Sequence, residues 1–297
     1  MNQSNTPKPE PRPLDLQTYA FQRLAVTFTP ISHLQRAPYS GPTRSLAIRT
    51  VDSVDIVATL FPRGQQDLLI ICHGFAANQR CLAIVWLAEA LAGPWDVLTF
   101  DWRGYGQSGG LASMGGTEAL DLAAMLRFAR EQGYRRVGVI GESMGGLITL
   151  ATLGAAVGRH FPHPDRVATI GAPADYALTG GMRPYLMRSI APQMWARPFA
   201  PLLGFRLGPL NPARPLDVVS QLDQPLLLIH GAADATVPVQ NAYVLKEHVP
   251  AATLRIYEGV DHSITAMRVQ SPTALLDDLR AYFGVMVQAS APHRNPQ

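Results

Sequence analysis

The chain has 297 residues, 47% hydrophobic and 16% charged, which is enough apolar material for one large core and too little charge for a solvating or disordered chain. Its net charge of +3, from 25 Lys and Arg against 22 Asp and Glu, is small for this length. Nucleic acid is therefore excluded as the expected partner unless the basic residues cluster.

The chain opens on MNQSNTPKPEPRPLDL, with four prolines, mixed charges and no apolar run. It has neither the basic start nor the hydrophobic stretch of a secretory signal, so export is not indicated and a cytoplasmic location is expected. Residues 1–13 and 288–297 read as disordered tails, and residues 14–287 as one α/β domain. Strands are predicted at Leu24–Phe28, Ser45–Arg49, Asp55–Leu60, Leu68–Cys72, Asp96–Phe100, Arg136–Ile140, Arg166–Ile170, Pro225–His230 and Thr253–Tyr257. The first three suggest an antiparallel entry. Helical periods at Asn78–Leu91, Gly116–Gln132, Met144–Val157, Gln240–His248 and Pro272–Phe283 supply the crossovers that parallel strands require. The alternation predicts a mostly parallel sheet with helices on both faces. Even the run Leu68–Cys72 is cut by His73 and Gly74, so no segment approaches the roughly 18 apolar residues of a membrane span. Cys72 and Cys81 have no metal-ligand spacing and read as buried thiols.

One stretch breaks the alternation. Residues 174–216 read as an inserted cap: from Tyr176 to Leu216 there are many prolines, large apolar side chains and no convincing strand. This stretch holds Arg183, Arg188, Arg197, Arg206 and Arg214 and no Asp or Glu, so the positive charge of the chain concentrates there.

The strongest single feature is RVGVIGESMGG at Arg136–Gly146, an apolar strand running into Gly141-Glu142-Ser143-Met144-Gly145 and then a helical pattern. A nucleophile on so sharp a turn needs a strained backbone, and side chains two residues to either side would collide, which glycine at 141 and 145 avoids. Such a turn presents the Ser143 hydroxyl and sets the Met144 N–H at a helix start, suited to a developing negative charge. Serine needs a base, and the base needs an orienting acid. His262 follows a strand and precedes a helix, where a loop can bring its ring over the sheet end. Asp234 follows an apolar strand in a Gly-containing turn, whereas Asp261 is adjacent to His262 and ranks below it, and Asp223 lies before the strand. His230 suits a structural role. LLIICHGF at Leu68–Phe75 offers the Phe75 N–H as a second oxyanion donor, with Gly74 allowing close approach and the His73 ring bracing the loop.

In order, His73-Gly74-Phe75, the run Asp101-Trp102-Arg103-Gly104-Tyr105-Gly106-Gln107-Ser108, Gly141 to Gly145, Asp234 in its turn and Asp261-His262 resemble the α/β-hydrolase superfamily. The resemblance covers about residues 40–285. It is greatest to the branch of monoacylglycerol lipases, lysophospholipases and serine aminopeptidase-type hydrolases, in which the cap enters after the sixth core strand. It implies an eight-stranded α/β-hydrolase fold with an inserted cap. Glu142 departs from the pattern, since many lipases of that branch carry His there. The function expected is a serine hydrolase of carboxylic esters with Ser143, His262 and Asp234 as triad and the Phe75 and Met144 amides as oxyanion hole. The substrate expected is a small-molecule ester or acyl compound; the cap suggests an apolar acyl group, and its arginines suggest peripheral contact with an anionic membrane. A peptidase holding a substrate amine would need an acidic group in the cap, and Tyr176 to Leu216 has none. Thioesterase and acyltransferase chemistry use the same triad and stay open, as does a binding protein without activity. No metal or organic cofactor is implied, and oligomeric state is not indicated.

Overall fold

Strand β3 (Asp67–Cys72) reads DLLIIC and is buried at all positions, so it must be covered on both faces. The computed structural model describes residues 36–155, 162–179, 201–202 and 204–288. Among these, β3 is preceded by β1 (Arg44–Arg49) and β2 (Asp55–Phe61) and followed by α1 (Leu82–Leu91), β4 (Asp96–Phe100), α2 (Ala119–Glu131), β5 (Arg136–Glu142), α3 (Met144–Gly154) and β6 (Arg166–Ile170). After the inserted segment come β7 (Leu226–Gly231), α4 (Gln240–His248), β8 (Thr253–Tyr257), α5 (Ser263–Gln270) and α6 (Pro272–Gln288). The eight strands form one sheet in the order β1-β2-β4-β3-β5-β6-β7-β8. Strand β2 is antiparallel to β1 and to β4, and every later pairing is parallel.

Alternate residues of β3 divide between two cores, as the period of a strand demands. Leu68, Ile70 and Cys72 pack with Leu122, Met125, Leu147, Ile148 and Leu245 of α2, α3 and α4. Leu69 and Ile71 pack with Ile84 and Leu87 of α1, Ile264 and Met267 of α5, and Leu279 and Phe283 of α6. Helices thus cover both faces, and the parallel strands all end at one edge, where ligand sites of such sheets form.

The expected strand bounds agree within two residues for the eight described strands, and β1 and β2 form the antiparallel entry. Several helix ends differ. The first helix starts at Leu82 rather than Asn78, because Asn78 closes a turn: its carbonyl accepts from the Cys81 N–H and its Oδ1 from the Arg80 N–H. The second starts at Ala119 rather than Gly116, because Glu118 turns back to accept from the N–H groups of Ser113, Met114 and Gly115. The last helix runs on to Gln288, and α5 was not foreseen. Cys72 and Cys81 are buried and form no disulfide.

The predicted strand Leu24–Phe28, both predicted tails apart from Gln288, and residues 180–200 and 203 of the predicted cap lie outside the described residues, as do Arg183, Arg188 and Arg197. The described residues 204–214, between β6 and β7, run against the loop after β4, bridging Phe205 to Tyr105 and Leu207 to Ala112. Here Arg206 donates to the Ser108 carbonyl and Arg214 pairs with Asp217 at 3.2 Å. These two arginines are engaged within the chain. No helix of the described residues is long and apolar enough to cross a membrane.

Candidate active site

The turn after β5 is as strained as its sequence requires. Ser143 sits at φ 49°, ψ −119°, a conformation that costs a non-glycine residue about 1–3 kcal/mol and persists only where the surroundings enforce it. Enforcement is visible. The Ser143 N–H donates to the Ile170 carbonyl at 2.9 Å, carrying the β5–β6 ladder up to the turn itself. A Cβ at Gly141 would lie 2.5 Å from the Gly146 Cα, and one at Gly145 would lie 2.4 Å from the Cys72 carbonyl oxygen. Both flanking glycines are therefore needed for space, as the motif implied.

The predicted nucleophile, base and acid converge. His262 Nε2 lies 2.9 Å from Ser143 Oγ, and Nδ1 lies 2.6 Å from Asp234 Oδ2. A carboxylate oxygen can only accept, so Nδ1 carries the proton and Nε2 is left to accept from the serine hydroxyl. Asp234 is itself anchored: its Oδ1 accepts from the N–H groups of Thr236 and Val237 at 2.9 and 2.7 Å. Burial works to raise its carboxyl, but the His262 imidazole beside it and the hydrogen bonds from His230, His262 and Val237 outweigh that and hold it below the usual carboxylate range. The group stays ionised at neutral pH. His262 and Asp234 are buried, whereas Ser143 is half-buried, so the chain of hydrogen bonds opens outward through the hydroxyl.

The ring nitrogen Nδ1 is paired with Asp234, and Asp261 meets the backbone of His262. Asp261 Oδ1 accepts from the backbone N–H of His262 at 2.7 Å, which fixes the loop rather than the tautomer. His230 donates from Nε2 to the Val237 carbonyl at 2.7 Å and lies 3.4 Å from Asp234 Oδ2, steadying the turn that carries the acid. The His73 ring braces, as expected: Nε2 accepts from the Trp102 N–H at 3.2 Å, so Nδ1 donates to the Gly74 carbonyl at 2.8 Å. Burial pushes His73 below the ordinary histidine value, which matches a neutral ring with one donor and one acceptor.

Gly74 approaches the nucleophile closely, since a Cβ there would lie 3.2 Å from Ser143 Cβ. The next residue is Phe75, and Met144 follows Ser143 directly. Among the described residues neither the Phe75 nor the Met144 N–H has a hydrogen-bond acceptor. The side chains of these two residues pack among aromatic rings: Phe205 meets Phe75 edge-on at 5.2 Å and stacks on Tyr105 at 5.1 Å, and the Tyr105 hydroxyl reaches Met144 Sδ at 3.6 Å.

Two neighbours escaped sequence reasoning. Gly171, at φ 61° after β6, clears the space beside the base; a Cβ there would lie 3.3 Å from the His262 ring. Its position directly after an apolar strand at the same sheet edge was the available signal. Glu142, noted in the sequence only as a departure from a pattern, is buried against this constellation. Among the described residues no group of three or more His, Cys, Asp or Glu side chains is arranged to hold a metal ion.

This fold, with a serine at a strained strand-to-helix turn, defines the class known as the α/β-hydrolase fold, and a family model of that description matches residues 67–174. The chain has the α/β-hydrolase fold. It is 29% identical over 215 residues to an uncharacterized protein of Bacillus subtilis, YqkD, covering 69% of this chain and 67% of that one. Among solved structures it resembles an esterase of Pyrococcus furiosus (TM-score 0.67, 22% identity, 84% of this chain and 96% of that one). It also resembles an esterase of a Rhodococcus species (TM-score 0.60, 20% identity, 81% and 98%). An esterase of Exiguobacterium antarcticum is similar at TM-score 0.61 and 19% identity, over 81% and 100% of the two chains.

Proposed function

We propose that this chain is a serine hydrolase of carboxylic esters. The observation that carries the reading is the hydrogen-bonded chain from Ser143 Oγ through His262 to Asp234, with contacts of 2.9 and 2.6 Å. Ser143 Oγ attacks the acyl carbon while its proton passes to His262 Nε2, and the carbonyl oxygen becomes an oxyanion. The Phe75 and Met144 amides receive that charge, each donor contributing about 3 kcal/mol of barrier lowering. Collapse of the tetrahedral species breaks the ester C–O bond, and His262 returns the proton to the departing alkoxide. Water then attacks the acyl-enzyme, giving its proton to His262, and the second collapse frees the acid and restores Ser143. Asp234 keeps the proton of His262 on Nδ1 throughout and stabilises the imidazolium.

An apolar acyl group is the substrate class we favour, because the side chain of Phe75, whose amide is one of the two donors, packs in an aromatic cluster with Phe205 and Tyr105. The resemblance to the monoacylglycerol lipase branch rests on motif order and supports the same choice. The test is hydrolysis of p-nitrophenyl esters of increasing chain length, with a thioester and an aminoacyl amide alongside. The reading expects ester turnover that rises with acyl length and vanishes in Ser143→Ala. Preferred cleavage of the amide or thioester would overturn the ester assignment, and turnover by the Ser143→Ala variant would overturn the mechanism.

A further inference from the structure

The reaction just described leaves one buried ionisable group beside the site unused. Glu142 is only 7% exposed, and its Oε1 accepts from the Ile264 N–H at 3.2 Å. The backbone N–H of Gly74 and the hydroxyl of Ser263 also favour its charged form, and Oε2 lies 3.6 Å from where a Gly74 Cβ would stand. Burial outweighs these contacts and pushes this carboxyl above its ordinary value.

Its partners belong to three different turns. Gly74 opens the turn that carries Phe75, Glu142 itself precedes the nucleophile, and Ser263 and Ile264 directly follow the base. Each of these turns contains a non-glycine residue at positive φ: Ala76 at 52°, Ser143 at 49° and Ser263 at 75°. Of the five such residues in the described chain, three are therefore gathered around one carboxylate. Strained turns relax unless something outside them holds them, and a buried carboxyl that accepts from one turn and lies against another is a short-range tie between them.

From this convergence we propose that Glu142 is a positioning residue, whose carboxylate ties the oxyanion turn, the nucleophile turn and the base loop into one register. The inference rests on the serine-hydrolase reading and extends it. Glu142 touches no reacting atom; it acts through Phe75, Ser143 and His262. Misplacement of such groups by about 1 Å costs on the order of 100-fold in rate.

The test compares Glu142→Gln and Glu142→Ala with the wild type, each titrated with a fluorophosphonate so that kcat is expressed per competent Ser143. A general folding defect would lower the titrated fraction and leave kcat per site unchanged. Loss of register lowers kcat per site, with KM within about threefold of the wild type. The expected result is a drop of about 100-fold for Glu142→Ala and about tenfold for Glu142→Gln, which keeps one acceptor oxygen. Wild-type kcat per site in Glu142→Gln, equal impairment of the two variants, or a loss confined to KM would overturn the proposal. If Glu142→Ala yields no folded protein, the kcat and KM of Glu142→Gln decide by the same criteria. A wild type that neither hydrolyses esters nor labels at Ser143 would instead overturn the underlying reading, so the two failures are separable.

Discussion

Two turns at the same edge of the sheet look alike in sequence and behave in opposite ways. The loop after β4, Asp101 to Ser108, is dense in glycine and polar side chains, and so is the turn after β5, Gly141 to Gly146. In the first, glycines adopt the positive φ values, 77° at Gly104 and 47° at Gly106, and the side chains of Asp101, Arg103 and Ser108 are bonded within the chain. Asp101 accepts from the N–H groups of Gln79 and Gln107, Ser108 Oγ donates to the Asp101 carbonyl, and Arg103 binds both Asp121 and Asp52. In the second, a serine takes the strained conformation and its hydroxyl is left for a histidine from another loop. Density of polar motif residues therefore does not distinguish the two turns. Strain borne by a non-glycine residue, with a hydroxyl hydrogen-bonded to a histidine, does.

The contrast can be broken at either turn. Replacing Ser143 by Ala is expected to lower kcat by about 10⁶, the loss seen when the nucleophile of a comparable triad is removed, with urea stability little changed. Asp234→Asn is expected to cost about 10⁴ in kcat, because an amide donor at Nδ1 holds His262 in the wrong tautomer. At the other turn, Arg103→Ala leaves Asp121 buried and uncompensated, which should cost about 3–5 kcal/mol in denaturant unfolding. In that variant kcat per titrated site stays within about threefold of the wild type. The stability loss should also grow with pH. Burial raises the Asp121 carboxyl to about 7 even with Arg103 present, so without its partner the group escapes its penalty at acid pH by taking a proton. Weakest of all, Asp261→Asn should change kcat by less than about threefold, because Asp234 occupies Nδ1 of His262 whereas Asp261 accepts from its backbone N–H. A large loss there with none at Asp234 would reverse the assignment of the acid.

Much of this was legible before any coordinates. Runs such as LLIIC and LLLIH are apolar without alternation, which is the mark of strands covered on both faces. The glycine spacing around Ser143 reports crowding that has to exist at a sharp strand-to-helix turn, and the chain order of serine, aspartate and histidine could be set against a known arrangement. What stayed hidden depends on contacts between distant segments. The eight residues of α5 start at a serine in a left-handed conformation, and no helical pattern announces so short an element. Glu142 reads as an ordinary substitution until Ile264, 122 positions away, is seen donating to it. Gly171 looks like any glycine after a strand until the His262 ring is found beside it.

The central claim is that one hydroxyl, selected by its turn and its histidine, performs the reaction. The most direct measurement is reaction of the whole protein with a fluorophosphonate, followed by peptide mass mapping of the wild type, Ser143→Ala and His262→Ala. The account predicts a single adduct on the peptide containing Ser143, absent from Ser143→Ala and formed far more slowly in His262→Ala. An adduct at another residue, or labelling of Ser143 at an undiminished rate without His262, would contradict it.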